Sequence, residues 1–164
     1  MIRRFTAAQP WLSTAARLFL AGVFIWAGWP KLVHSDGTVL SVRAFKLVPE
    51  PLVVPFAYAL PMVELAVALL LIAGLFTRVS AVITAVMMVV FIGGIASAWA
   101  RGLKIECGCF GNTGSLVTDP VPGFIRDLLR DSGFLLVALF LARWPRSVAA
   151  VDRFLVLPPA PARV

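Results

Sequence analysis

Four apolar runs, at about 11–29, 52–75, 79–100 and 124–142, constrain this chain more than any other feature. A helix needs about 20 apolar residues to cross the hydrocarbon core of a bilayer, and each run is close to that length or longer. In lipid every backbone N–H and C=O must be bonded internally, so the runs are expected as helices. Composition agrees. Hydrophobic residues make up 60% of the chain, charged residues 14%, and mean hydropathy is +0.94. A soluble domain is about half apolar and a quarter charged, so a water-soluble globule is excluded. The expected fold is all-α, an integral membrane four-helix bundle over residues 1–145. Residues 146–156 would lie on the membrane surface as a short amphipathic helix. The Pro-rich stretch 157–164 reads as a disordered end.

The net charge of +7 does not indicate nucleic acid. The cations are scattered between apolar blocks and form no single basic face, as basic loop ends of a membrane protein do. Only Phe76, Thr77 and Arg78 separate the second and third runs, which predicts a tight antiparallel hairpin. The connections 30–51 and 101–123 are long and must share one side of a four-span protein. Arg3, Arg4, Arg17, Arg78, Arg143, Arg146, Arg153 and Arg163 flank one face, against Lys31, Arg43, Lys46, Arg101, Lys104, Arg126 and Arg130 on the other. The count is nearly even. The three arginines ahead of the first apolar centre decide it, predicting cytoplasmic termini and both long connections outside. Arg17 and the Trp-Pro-Lys ending argue for an uncleaved first span over a signal peptide. Packing between spans is expected at the small residues Ala81, Ala85, Gly93 and Ser97. Pro55 and Pro61 are expected to kink the second span or mark its start.

Two places carry chemistry. The only cysteines, Cys107 and Cys109, lie in Glu106-Cys107-Gly108-Cys109-Phe110-Gly111 on the long connection expected outside. A Cys-x-Cys pair closes only as a tight ring, which Gly108 makes reachable. Such a disulfide closes almost no loop and adds little stability. Strained and exposed, it would be readily reduced. Redox exchange therefore ranks ahead of a Cu(I) site built on two thiolates. Zinc needs about four ligands, and the single histidine, His34, is on the other connection. No metal site is expected. The second place is Glu64, about a dozen residues into the second run, where a lone carboxylate is costly. Lys31 ends the first run on the same side and can reach it. An ion pair locking the two spans and a proton-relay role are equally compatible with this spacing. Arg126, Asp127, Arg130 and Asp131 read as a solvated helix start with a local Asp127–Arg130 pair. Facing the cysteine loop, the two arginines would favour a thiolate. His34 reads as an interfacial loop histidine.

Gly28-Trp29-Pro30-Lys31-Leu32, followed by Leu60-Pro61-x-x-Glu64-Leu65 leading to Gly74, resembles the DoxX-type membrane proteins. The Cys107-Gly108-Cys109-Phe110-Gly111 loop is similar to the MauE branch, the methylamine-utilisation membrane proteins. The resemblance spans roughly residues 14–142. It implies a four-helix membrane bundle acting on disulfides of exported proteins beside a thioredoxin-like partner, in a bacterial inner membrane. Through the DoxX relatives it also implies a quinone as electron acceptor or donor. Trp26, Trp29 and Trp99 are candidate walls for that quinone, although anchoring at the membrane interface is the commoner role for such aromatics. The site residues expected to act are Cys107, Cys109, Glu64 and Lys31. Two other readings stand beside this one: a non-enzymatic scaffold subunit of a redox complex, and a Cu(I)-binding protein.

Overall fold

A computed structural model describes residues 2–106, 116–148 and 150–152. These form five helices: α1 (Ile2–Val33), α2 (Ser35–Phe45), α3 (Glu50–Ala73), α4 (Thr77–Ala100) and α5 (Val121–Arg143). The all-α expectation holds. Among the described residues the only extended pairing is a single bridge, Ile105 with Leu116. Three helices are long and apolar enough to cross a membrane: Ala8–Val33 within α1, α3 and α4. Large apolar side chains such as Leu69, Val86 and Leu136 point outward, which suits a helix bundle solvated by lipid. This is the architecture of a multi-pass membrane protein.

The run at 124–142 becomes a helix, α5, as expected; by length and composition alone it is not counted with the other three as a candidate span. Arg126, Asp127, Arg130 and Asp131 crowd its first half. The stretch 30–51, expected as a long loop, is mostly helix. α1 continues to Val33, breaks only at His34, and resumes as α2. Across the break His34 N–H donates to Pro30 O and Thr38 N–H to His34 O, so the helical path bends but is not abandoned. α2 ends at Lys46, which takes the left-handed conformation (φ 51°) and donates its N–H to Arg43 O. Pro49 and Pro51 then start α3, where a missing N–H costs nothing.

α1 runs antiparallel to α3, with Gly28 beside Glu64 and Leu65, and Arg17 beside Gly74. α4 runs antiparallel to α5, and these two pairs hold the most extensive contacts. Ala81 and Ala85 are buried against Ala138 and Leu141, as their small size allows. Gly93, by contrast, faces open space. Pro55 and Pro61 lie inside α3.

The α3–α4 turn is made by Gly74, Leu75 and Phe76. Gly74 sits at φ +66°, where a Cβ would collide with Arg17 Nη1 and lie 2.7 Å from Ala150 Cα. The chain after α5 returns over this turn as a strap. Ser13 Oγ donates to Trp144 O at 2.7 Å and Arg17 Nη1 to Ser147 Oγ at 2.9 Å. Asp152 N–H donates to Gly74 O, and its carboxylate accepts from Phe76 N (2.6 Å) and Thr77 N (2.7 Å), satisfying donors at the start of α4. Arg17, counted by sequence among the flanking arginines, is buried beneath this strap.

Candidate functional site

At the other end of the bundle, α1 delivers Lys31 two residues before it stops. Its ammonium meets Glu64, midway along α3, at 2.5 Å between Nζ and Oε1. Lys31 is 6% exposed and Glu64 not at all. Gly28 lets the helices approach this closely: a Cβ there would stand 3.2 Å from Leu65 Cγ and 3.3 Å from Glu64 Oε2. The Gly28-Trp29-Pro30-Lys31 run thus has a physical logic, with glycine for approach and lysine one turn later for charge. The Phe91 ring on α4 lies 5.5 Å from the ammonium and adds a cation–π contact.

α5 adds a second charged group that the sequence analysis placed in solvent. Asp127 and Asp131 are both buried. Arg130 spans them, with Nη1 2.9 Å from Asp127 Oδ1 and Nε donating to Asp131 Oδ1 at 3.0 Å. The expected Asp127–Arg130 pair is present, but its carboxylate is turned inward while Arg126 stays exposed. The signal was available. Phe124, Asp127, Asp131, Phe134, Ala138 and Leu141 recur at helical spacing, so the acids share the stripe that packs the core.

Glu64 and Asp131 meet at one cavity of about 10 Å³, closed by Phe24, Met88, Phe91 and Phe134. That is about the room one water needs. Glu64 Oε2 and Asp131 Oδ2 have no hydrogen-bond partner among the described residues. Two buried carboxylates from different helices thus line one small, otherwise apolar cavity. Among the described residues no cluster of histidines, cysteines and acids could hold a metal ion.

Of the sequence-predicted residues, the structure brings Lys31 and Glu64 together. Trp26, Trp29 and Trp99 are 70%, 62% and 42% exposed, and none of them lines the small cavity. Cys107 and Cys109 lie outside the described residues. Their loop leaves and returns at one place, where Ile105 bridges Leu116 and Val117 N–H donates to Lys104 O. Ile105 is buried with Ile95, Ala98 and Phe124, which anchors the loop's base to α4 and α5.

The chain is 40% identical over 106 residues to methylamine utilization protein MauE of Methylorubrum extorquens, covering 64% of this chain and 57% of that protein. It is 37% identical over 105 residues to the protein of that name from Paracoccus denitrificans, covering 63% and 56%. A third, from Methylophilus methylotrophus, is 37% identical over 102 residues, covering 62% and 54%. The chain thus spans little more than half the length of the curated relatives it matches. No solved structure matches it. The family model described as methylamine utilisation protein MauE matches residues 9–143, from within α1 to the end of α5, and the chain belongs to that family.

Proposed function

We propose that this chain is a membrane thiol–disulfide protein of the bacterial inner membrane, serving methylamine utilisation. The carrying observation is the Cys107-Gly108-Cys109 pair, the chain's only thiols, inside the family-matched region. In this reading α5 is the fourth span, because its two acids turn inward and pair with Arg130, and both termini are cytoplasmic. The family placement extends to the DoxX-type proteins.

The chemistry is exchange with an exported or thioredoxin-like partner. One cysteine thiolate attacks a sulfur of the partner's disulfide. That S–S bond breaks, a mixed disulfide forms, and the partner's other sulfur leaves as a thiolate. The second cysteine then attacks the mixed disulfide, leaving Cys107–Cys109 oxidised and the partner as a dithiol. The reverse sequence oxidises the partner. Two electrons and two protons move in either direction, and a quinone, if bound, would supply the matching two-electron, two-proton change. Glu64, with Lys31 holding it, is the proton-handling group on the membrane side.

The test is partner capture in intact cells. Removing the resolving thiol traps the partner as a mixed disulfide that reductant releases, while removing the attacking thiol abolishes capture. Cys107 is expected to attack, since Cys109 is flanked by Phe110. If Cys107→Ser and Cys109→Ser both retain full function, the thiols are dispensable and the scaffold reading replaces this one. Stoichiometric copper bound only by the reduced protein would favour Cu(I) binding.

A further inference from the structure

α3 and α4, although joined by a tight turn, pack mainly against α1 and α5. Between the first half of α3 and the second half of α4 there is a cleft of about 200 Å³, closed on one side by α2. Its walls are apolar: Phe45, Leu47, Phe56, Leu60, Phe91 and Ile95 among others. Phe56 and Val90 at its margin belong to the exposed apolar surface, so the cleft opens toward lipid.

Lys31, Thr38 and Ser41 are the residues with polar side chains in its lining. The Thr38 hydroxyl donates to Lys31 O at 3.1 Å and the Ser41 hydroxyl to Gly37 O at 2.9 Å, so both protons are already engaged. The Lys31 ammonium has three N–H donors and gives one to Glu64. It is therefore the donor a ligand would meet. An anionic head group would bring a second negative charge beside Glu64, with Asp131 close behind, in a low-dielectric setting where such repulsion is strong. An uncharged acceptor meets no such opposition.

We infer that this cleft binds a lipid-dissolved apolar molecule bearing an uncharged carbonyl group, which accepts a hydrogen bond from Lys31. A quinone ring and the ester of an acyl lipid share that chemistry. As a location for the quinone step the cleft rests on the proposed function; as a binding site it does not. It lies apart from Trp26, Trp29 and Trp99, none of which lines it.

Gly94 provides the handle for a test. A Cβ there would make only ordinary contacts, 3.9 Å to Leu47 Cδ1 and 4.0 Å to Phe45 Cε1, so a larger side chain grows into the cleft. The probe is benzophenone, an apolar ketone that photolabels neighbouring C–H bonds. It is applied to the purified full-length chain carrying Cys107→Ser and Cys109→Ser, so that failure of the thiol chemistry cannot affect the result. Label is expected on residues 38–48, 56–60 and 90–95, and Gly94→Phe should abolish it with helix content retained. Lys31→Met with Glu64→Leu keeps the apolar walls and removes the donor. It should weaken labelling by roughly tenfold, the effect of losing one hydrogen bond to a charged group. Competition separates the sources: displacement by menadione identifies a ring ketone, displacement by methyl laurate an acyl ester. Labelling that is unchanged in the Lys31→Met, Glu64→Leu variant would overturn the inference. So would displacement by laurate anion as effective as by either neutral competitor, or labelling that neither displaces.

Discussion

Lys31 Nζ and Glu64 Oε1 lie 2.5 Å apart in the interior of the bundle, and this contact joins the end of α1 to the middle of α3. Taking one partner away leaves a buried charge without compensation. Glu64→Gln should destabilise the protein by about 3–5 kcal/mol, read as a lower thermal midpoint in detergent. Lys31→Met combined with Glu64→Leu should recover most of that loss. If the carboxylate also moves protons, the double variant folds and fails to support activity; full activity in it dismisses that role.

Arg130 serves two carboxylates at once, so Asp127 and Asp131 should not act independently. After either Asp→Asn change Arg130 keeps one of these two carboxylates; after both it has lost the pair. The double variant should lose more stability than the sum of the singles, by about 0.5–3 kcal/mol. Additive losses in a thermal-denaturation cycle would mean that the three residues do not form one network.

The strap makes a similar claim at the opposite end. Asp152→Ala should cost about 0.5–2 kcal/mol by removing the carboxylate that caps α4, and Asp152→Asn should cost less. Gly74→Ala should be worse than a cap deletion. It places a side chain at φ +66° and drives a methyl into Arg17 and Ala150, both held by surrounding structure.

Sidedness has a direct check. A membrane-impermeant maleimide should label reduced Cys107 or Cys109 in intact spheroplasts. Labelling that requires lysis would invert the topology and remove the exported partner from reach.

The helices over the first three apolar runs were legible in sequence from length and hydropathy alone, and α5 from the apolar half that follows its charged start. The Lys31–Glu64 contact was legible because a carboxylate so deep in a span must find a cation. α2 was not: Ser35, Asp36 and Gly37 read as a turn, and its helix is stabilised by packing on α3 that no local pattern reveals. Asp131 was misread because a charged helix start looks solvated until one asks which face carries Phe124 and Ala138. The cleft beside Lys31 depends on α3 and α4 splaying apart, a tertiary property with no trace in either helix alone.

Asp152 also sets an order of events during synthesis. The donors it satisfies belong to Phe76 and Thr77, and Thr77 lies 75 residues earlier in the chain. At about 5–20 residues per second, the ribosome leaves the first turn of α4 waiting roughly 4–15 s for its acceptor. During that interval Gly74 and the buried face of Arg17 also lack their cover. The hairpin of α3 and α4 therefore matures last at its tip, and a nascent chain stalled before the strap emerges would expose that tip to proteases that the finished protein excludes.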